Sequence, residues 1–363
     1  MKILFISYYF EPFPGVGAKR ISYWANNCAK HGIEATVITA TEQPNNKTNI
    51  KFVAQKKSTS LLRFFIKDQG LDWKEPLINY FENEPNFAYD FVLISGGPFM
   101  HFSISNYLTK KFNTKVILDF RDPYSNNPSF KDGFIKKGIK SFFEKKFIKN
   151  ATALIAVNKY CANLIVSNSK KTAIIDNGFD ESVFIANQTT AKNSIPIIAH
   201  AGTFIEGLRS PEIFLEVMRT DFNHKMQFNQ YGKDSNYFDA FRKEDFFNYK
   251  GMMPYSDLIK ELKNADICLL ITEGRSFEST TKVFDYIGLN KKILILTNGE
   301  PKTGNLHELT KDYPNIVWAK NNKKDINEGL SKMIKMNTLP FDAYAYSRAF
   351  SLEKLVDLLK SLS

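Results

Sequence analysis

The sequence predicts an α/β chain of two doubly wound parallel sheets in series, each covered by helices. Three observations predict it. Apolar runs of strand length alternate with longer segments of helical spacing, and this alternation restarts after Asn177-Gly178-Phe179-Asp180. The 363 residues favour two domains, each large enough to bury its own core. The longest apolar stretches, such as 265–271, fall far short of the roughly 20 residues that cross a bilayer.

Strands are expected at 2–7, 34–39, 91–95, 115–119 and 153–157, with a helix over 18–31 closed by Gly32. The basic start turns polar too early for a signal-peptide core, so residues 2–7 read as a buried strand. After the restart, strands are expected at 195–201, 225–231, 265–271 and 292–296. Helices follow at 211–220, 256–263 and 281–289. The polar stretch 187–194 reads as a linker, and 350–360 as an amphipathic helix capped by Ser351. The domains are therefore set at 1–184, 185–345 and a terminal helix at 346–363. Ligands of such sheets bind at strand C-terminal ends, so a cleft between the two domains is expected.

With 43% hydrophobic and 24% charged residues the chain is ordinary globular protein, and its net charge of +11 calls for acidic partners. No nucleic-acid recognition module is present, so nucleic acid is set aside. Residues 131–149 (KDGFIKKGIKSFFEKKFIK) interleave apolar side chains with seven lysines, and 56–67 repeats the theme. Such segments suit either an anionic membrane surface or a helix with its apolar side on the core. Cys28, Cys161 and Cys268 are far apart and without metal or disulfide spacing, which suits a reducing cytoplasm. No cluster of His and Asp suits a divalent ion, so neither metal nor cofactor is expected.

The densest chemistry lies at 276–286, where a hydroxyl-rich loop follows the apolar run 265–271 and leads into a helix. Thr280 and Thr281 stand at the first unpaired N–H groups, where hydroxyls and amides can donate to phosphate oxygens. Lys282 adds a point charge, and Asp285 is placed to accept from ribose hydroxyls. An ordinary capped helix start would use Thr280 as N-cap. Gly202 and Thr203 follow a strand and let the chain approach a diphosphate, with Arg209 and Lys282 clamping it from two loops. Tyr231, Gly232, Met253 and Pro254 stand at strand ends that can hold the base.

In the first half, Gly15 and Gly17 allow positive φ and close backbone approach to a ligand, and Lys19 or Arg20 opens the next helix towards an acceptor phosphate. His101 follows a strand-end turn on the expected ligand side. Asp119, Arg121 and Asp122 form an acid-base-acid set that can orient an acceptor oxygen or bind an anion, or else neutralise itself and pin the loop.

Six ordered segments carry a family resemblance: 1–7 with Phe10-Glu11-Pro12, Gly15, Gly17 and Arg20; Ile94 to Phe99 with His101; Val116 to Tyr124; Ile174 to Asp180 with Phe184; Ala201 to Thr203 with Arg209; and Phe277 to Tyr286 with Gly288. Together they resemble the GT-B retaining glycosyltransferases of glycosyltransferase family 4. The resemblance implies two Rossmann-like domains facing across a cleft, a C-terminal helix crossing back, and transfer from a UDP- or GDP-sugar with retention and without metal. The basic amphipathic segments fit a glycan or lipid-linked glycan acceptor at the cytoplasmic membrane face, as in bacterial surface polysaccharide synthesis, with the enzyme cytoplasmic and peripheral to the inner face of the membrane; a soluble acceptor stays open. The resemblance also gives His101 a sugar- or acceptor-contacting role. The family's two acids are separated by seven residues, whereas six lie between Glu278 and Asp285. Glu278 then either replaces the first acid, which faces the donor sugar, from a shifted loop, or that role is missing. A nucleotide-sugar 2-epimerase and a noncatalytic membrane-surface scaffold with a degenerate donor site are the competing readings.

Overall fold

The computed structural model describes the chain except for residues 45–48, 85, 166–169, 185–192, 205–208 and 279. Most of the expected linker 187–194, and Ser279 in the hydroxyl-rich loop, lie outside the described residues. The chain forms two compact units, residues 1–177 with 350–363 and residues 178–349.

In the first unit, β1 (Lys2–Ser7), β2 (Glu34–Thr39), β3 (Ile50–Phe52), β4 (Phe91–Ser95), β5 (Lys115–Phe120), β6 (Ala153–Ala156) and β7 (Lys171–Ile174) pair in parallel in the order 3-2-1-4-5-6-7. β1 and β4 are buried over almost their whole length, as central strands covered on both faces must be. Helix Val16–Asn27 continues as a 3₁₀ turn, Cys28–His31, and ends at Gly32 with φ 69°, as the glycine predicted. The final helix, Arg348–Leu362, begins before the expected cap. Ser351 is buried inside it and accepts from Trp24 Nε1 at 3.0 Å.

Helix Phe134–Lys149 buries Lys140, Glu144, Phe147 and Ile148, and leaves Phe134, Ile135 and Phe142 at 93%, 72% and 63% exposure. The charged pair turns inward because each member has a partner there. Lys140 meets Asp132 and lies over the rings of Tyr124 and Phe130, and Glu144 accepts from Ser125 N at 2.9 Å.

In the second unit, β8 (Ile197–Ala201), β9 (Gln227–Tyr231), β10 (Phe247–Gly251), β11 (Ile267–Thr272), β12 (Lys292–Thr297) and β13 (Ile316–Lys320) form a parallel sheet in the order 10-9-8-11-12-13. Each sheet therefore reverses its strand order beside its first strand, at β1/β4 and at β8/β11, where such folds open a crevice. Helix Glu212–Asp221 has Pro211 as N-cap, and it and its neighbours Tyr255–Asn264 and Lys282–Gly288 stand close to the expected bounds.

The second crevice has a visible cause. β8 and β11 pair only at Ile198–Ile267 and Ala199–Cys268, while β8 and β9 pair over their full length. Beyond that point the Tyr286 phenol stands between the strands, accepting from Ala201 N at 3.2 Å and donating to Leu269 O at 3.4 Å. One side chain thus satisfies backbone groups that continued pairing would have used. The crossing near residue 178 is equally tight: a Cβ on Gly178 would come within 2.4 Å of the Ser347 backbone, and Arg348 Nε donates to Gly178 O at 3.0 Å. Tyr286→Phe leaves a buried N–H and C=O unpaired, so the second unit should lose about 1–3 kcal/mol in urea unfolding.

Candidate nucleotide-diphosphate site

The site of the second unit grows out of the β8/β11 opening. β8 is followed by Gly202, with φ 142°, and β9 by Gly232, with φ 140°. Both glycines are required by closeness as well as by φ. A Cβ on Gly232 would fall 2.2 Å from Gly202 O, and one on Gly202 would fall 2.2 Å from Lys282 Nζ. The Lys282 side chain therefore lies directly over bare backbone at the strand end.

Lys282 is held there by a relay that sequence reading missed. Gln230 Nε2 donates to Gly202 O at 2.8 Å and Tyr231 O at 3.2 Å, which directs its Oε1 to His200 Nδ1 at 2.8 Å. Nδ1 must then carry the hydrogen, leaving the Nε2 lone pair to face Lys282 Nζ at 3.4 Å. Burial, followed by the Lys282 charge, holds His200 well below its ordinary range, so it stays neutral and accepts. Its ring stacks on Phe204 at 4.2 Å. His200 carried no signal beyond its place one residue before the strand end.

Burial, reinforced by Arg209 and opposed by Glu278, pushes Lys282 down to about 8. Arg209 Nη2 donates to Glu278 Oε1 at 2.9 Å, while its buried Nε has no partner among the described residues. The other Glu278 oxygen accepts from the Thr272 hydroxyl. Glu278, at 8% exposure, is thereby occupied as the anchor of Arg209. Thr281 is the N-cap of helix Lys282–Gly288, displacing the expected Thr280, and its hydroxyl makes no cap bond. Asp285 Oδ1 accepts from Tyr255 Oη at 2.5 Å, which joins the expected ribose acid to the Met253-Pro254-Tyr255 segment. Tyr231 is buried and donates to Glu261 at 3.0 Å, so only its backbone stands at the strand end. Thr203 and Pro254 are exposed, and Met253 is half-buried.

In the first unit the expected set is split. His101 is fully buried, its Nε2 3.0 Å from Ser95 O, and burial pushes it down to about 3. It is a core residue packed on Trp73 and Phe102, and it is not among the residues lining this unit's cavity. Asp119 is fully buried, accepting from Ser95 Oγ at 2.9 Å and pairing with Arg20 at 3.3 Å. Arg20 also donates to Asp176 O at 3.0 Å, so it is not turned to an acceptor phosphate. Arg121 places Nε on Gly96 O at 2.6 Å, Nη2 on Gly97 O at 2.7 Å and Nη1 on Gly17 O. Its donors thus pin two glycine loops rather than an anion. Gly15 has φ −71°, not a positive value, and both glycines are close-packed instead: a Cβ on Gly15 would meet the Phe13 ring at 2.2 Å and one on Gly17 would meet Arg121 Nη1 at 2.9 Å.

Asp122 alone of that set reaches the surface. It lines a cavity of about 660 Å³ with Asp68, Lys67, Tyr124, Phe130 and Lys140. Burial raises the Asp68 carboxyl, and amides of Phe99, Met100 and Gly70 oppose the rise. Among the described residues no group of three His, Cys, Asp or Glu side chains could hold a metal ion.

No protein-family model matches the sequence, and no curated protein matches it. Solved structures do resemble the chain. The Anabaena protein HepE, crystallised with UDP and glucose, matches with a TM-score of 0.65 at 12% identity, over 99% of this chain and 100% of that one. WaaG, a glycosyltransferase involved in lipopolysaccharide biosynthesis, matches at 0.65 and 13%, over 98% and 99%. The UDP-GlcNAc 2-epimerase of Methanocaldococcus jannaschii matches at 0.62 and 12%, over 99% and 100%. With its two parallel sheets, the chain has the GT-B fold.

Two outcomes test this geometry. Asp119→Ala leaves Arg20 charged and buried, so the first unit should lose about 3–5 kcal/mol in chemical denaturation, the scale for breaking a buried pair. Lys282 is charged below about pH 8, so UDP or GDP affinity should fall as pH rises through that value. The loss should be about ten- to a hundredfold, the scale of a charged hydrogen bond. Lys282→Arg should flatten the profile in calorimetric titration.

Proposed function

We propose that the chain is a glycosyltransferase that moves a sugar from a UDP- or GDP-sugar to a glycan acceptor. The carrying observation is the Lys282 ammonium lying over Gly202, at the strand-order reversal where nucleotide folds bind phosphate. The donor diphosphate takes Lys282, the first N–H groups of helix Lys282–Gly288 and the unpartnered Nε of Arg209. Asp285 and Tyr255 take the ribose side, and the backbone at Gly232 and Met253 takes the base.

As the C1–O bond to the diphosphate breaks, negative charge grows on the leaving oxygens, and the two cations stabilise it more than they stabilise the ground state. They supply the countercharge that a divalent ion supplies in other transferases, so transfer proceeds without metal. The acceptor oxygen attacks C1 on the leaving-group face, and its proton passes to a departing phosphate oxygen. Configuration is retained without a covalent glycosyl enzyme, as the family resemblance implies.

Asp122 and the first-unit cavity take the acceptor. We read that acceptor as a lipid-linked glycan of bacterial surface polysaccharide synthesis, handled at the cytoplasmic face of the membrane. The likeness to 2-epimerases keeps one competing reading: an epimerase converts the donor with no acceptor present. Product analysis with donor alone separates the two.

Lys282→Ala and Arg209→Ala should each lower turnover about a hundredfold or more, the scale for losing a transition-state charge contact. Asp285→Ala should chiefly weaken nucleotide binding. Unchanged turnover of a nucleotide-sugar panel in both cation variants, with folding verified by circular dichroism, removes the diphosphate assignment.

A further inference from the structure

We infer that the second unit carries a carbohydrate site beside the diphosphate seat, in a cavity walled by Phe204, helix Glu212–Asp221 and the segment after β9. Its ligand class is a neutral oligosaccharide. That the sugar is this enzyme's own glycan rests on the transferase reading; the site itself does not.

The first observation is where the cavity lies. It holds about 610 Å³, within the roughly 300–1,000 Å³ of small-molecule pockets. Helix Glu212–Asp221 packs on one face of the sheet with Ile198, Phe228 and Leu269, whereas the helices that bear Tyr255 and Asp285 pack on the other with Ala199, Tyr231 and Cys268. The cavity is thus on the face away from the ribose acid. Phe204 joins it to the diphosphate seat: its ring lines the cavity and stacks on His200, whose Nε2 faces Lys282.

The second observation is charge. In a chain of net charge +11, the described residues that line this cavity include two carboxylates, Glu212 and Glu216, one helical turn apart, and no lysine, arginine or histidine. A phosphate or carboxylate ligand would meet like charge there. Glu212 Oε2 accepts from the Ser210 hydroxyl at 2.8 Å and Glu216 Oε2 from Arg219 at 2.5 Å, so each acid keeps its other oxygen as an acceptor. Donors stand opposite them: the Asn236 amide and the Tyr237 phenol line the same cavity and have no side-chain partner among the described residues.

The third observation is the rings. Phe204, Tyr237 and Phe241 line the cavity between these polar groups. A pyranose offers hydroxyls at its rim and an apolar C–H face, so carboxylates take the hydroxyl hydrogens, the amide and phenol donate to ring and hydroxyl oxygens, and the aromatic walls cover the C–H face. A cation would use the acids alone and leave the amide and phenol idle, and Glu216 already has its countercharge in Arg219.

The test is calorimetric titration of the full chain with maltotriose, cellotriose and the N-acetylglucosamine trimer, and with the amine-bearing glucosamine trimer, each with and without UDP. At least one neutral trisaccharide should bind with an affinity indifferent to salt, and that affinity should fall about tenfold or more in Glu212→Ala/Glu216→Ala, the scale of losing charged hydrogen bonds. Ala240→Trp, which fills the cavity from an exposed wall position, should abolish binding. UDP affinity of both variants should match the wild type, with folding checked by circular dichroism. Binding of no trisaccharide overturns the proposal. So does undiminished binding by either variant, or binding of the glucosamine trimer alone that weakens with salt, which makes the acids a cation site. A chain that binds UDP but no saccharide overturns the carbohydrate site alone. One that binds a neutral trisaccharide but no nucleotide counts against the transferase reading and leaves the site standing.

Discussion

The separation of β8 from β11 beyond Ala199 and Cys268 is the constraint on which the second unit's site depends. A parallel sheet can open only where something else satisfies the backbone groups that pairing would have used. The Tyr286 phenol does so, accepting from Ala201 and donating to Leu269. The opening leaves room for a lysine over Gly202, and only glycine tolerates it there. Each later feature follows from that space: His200 is kept neutral by burial, Gln230 fixes its tautomer, and burial pushes the Lys282 ammonium down to about 8.

The first unit handles charge in the opposite way. Arg20 and Asp119 neutralise one another in the core, and Arg121 gives its donors to three glycine carbonyls. These groups shape the loops after β1 and β4 but have little left to offer a substrate. What faces the cavity is Asp122 with Asp68 and Asp132 among lysines and aromatic rings. The division is physically sensible: an arginine that pins two glycine loops makes the shape of a pocket reproducible, while the exposed carboxylate beside it stays available.

Much of this was legible in the sequence, for reasons that differ by residue. The strand cores were plain because central parallel strands are continuous apolar runs, and Gly32 marked its helix end. Lys282, Arg209 and Asp285 were singled out because loops after strands at a reversal of strand order carry ligand chemistry, and the structure brings Lys282 over Gly202, Arg209 to Glu278 and Asp285 to Tyr255. Asp119 and His101 were placed by the same rule, and that rule does not say which way a side chain points. Both turn into the core, where Arg20 and Ser95 receive them. His200 was illegible because its importance arises from Gln230, thirty residues away, through a sheet pairing. The burial of Lys140 and Glu144 beside Phe147 and Ile148 in helix Phe134–Lys149 was hidden too, since apolar periodicity cannot reveal that Asp132 and Ser125 draw them inward.

The seat of the diphosphate is the central claim about this protein. A crystal structure of the full chain with UDP or GDP tests it directly. The account predicts pyrophosphate oxygens within hydrogen-bond reach of Lys282 Nζ and of the first amides of helix Lys282–Gly288, with Arg209 turned to the phosphate and the ribose beside Asp285. A nucleotide seated away from Gly202 and Lys282, or a site that stays empty at saturating nucleotide, would contradict it.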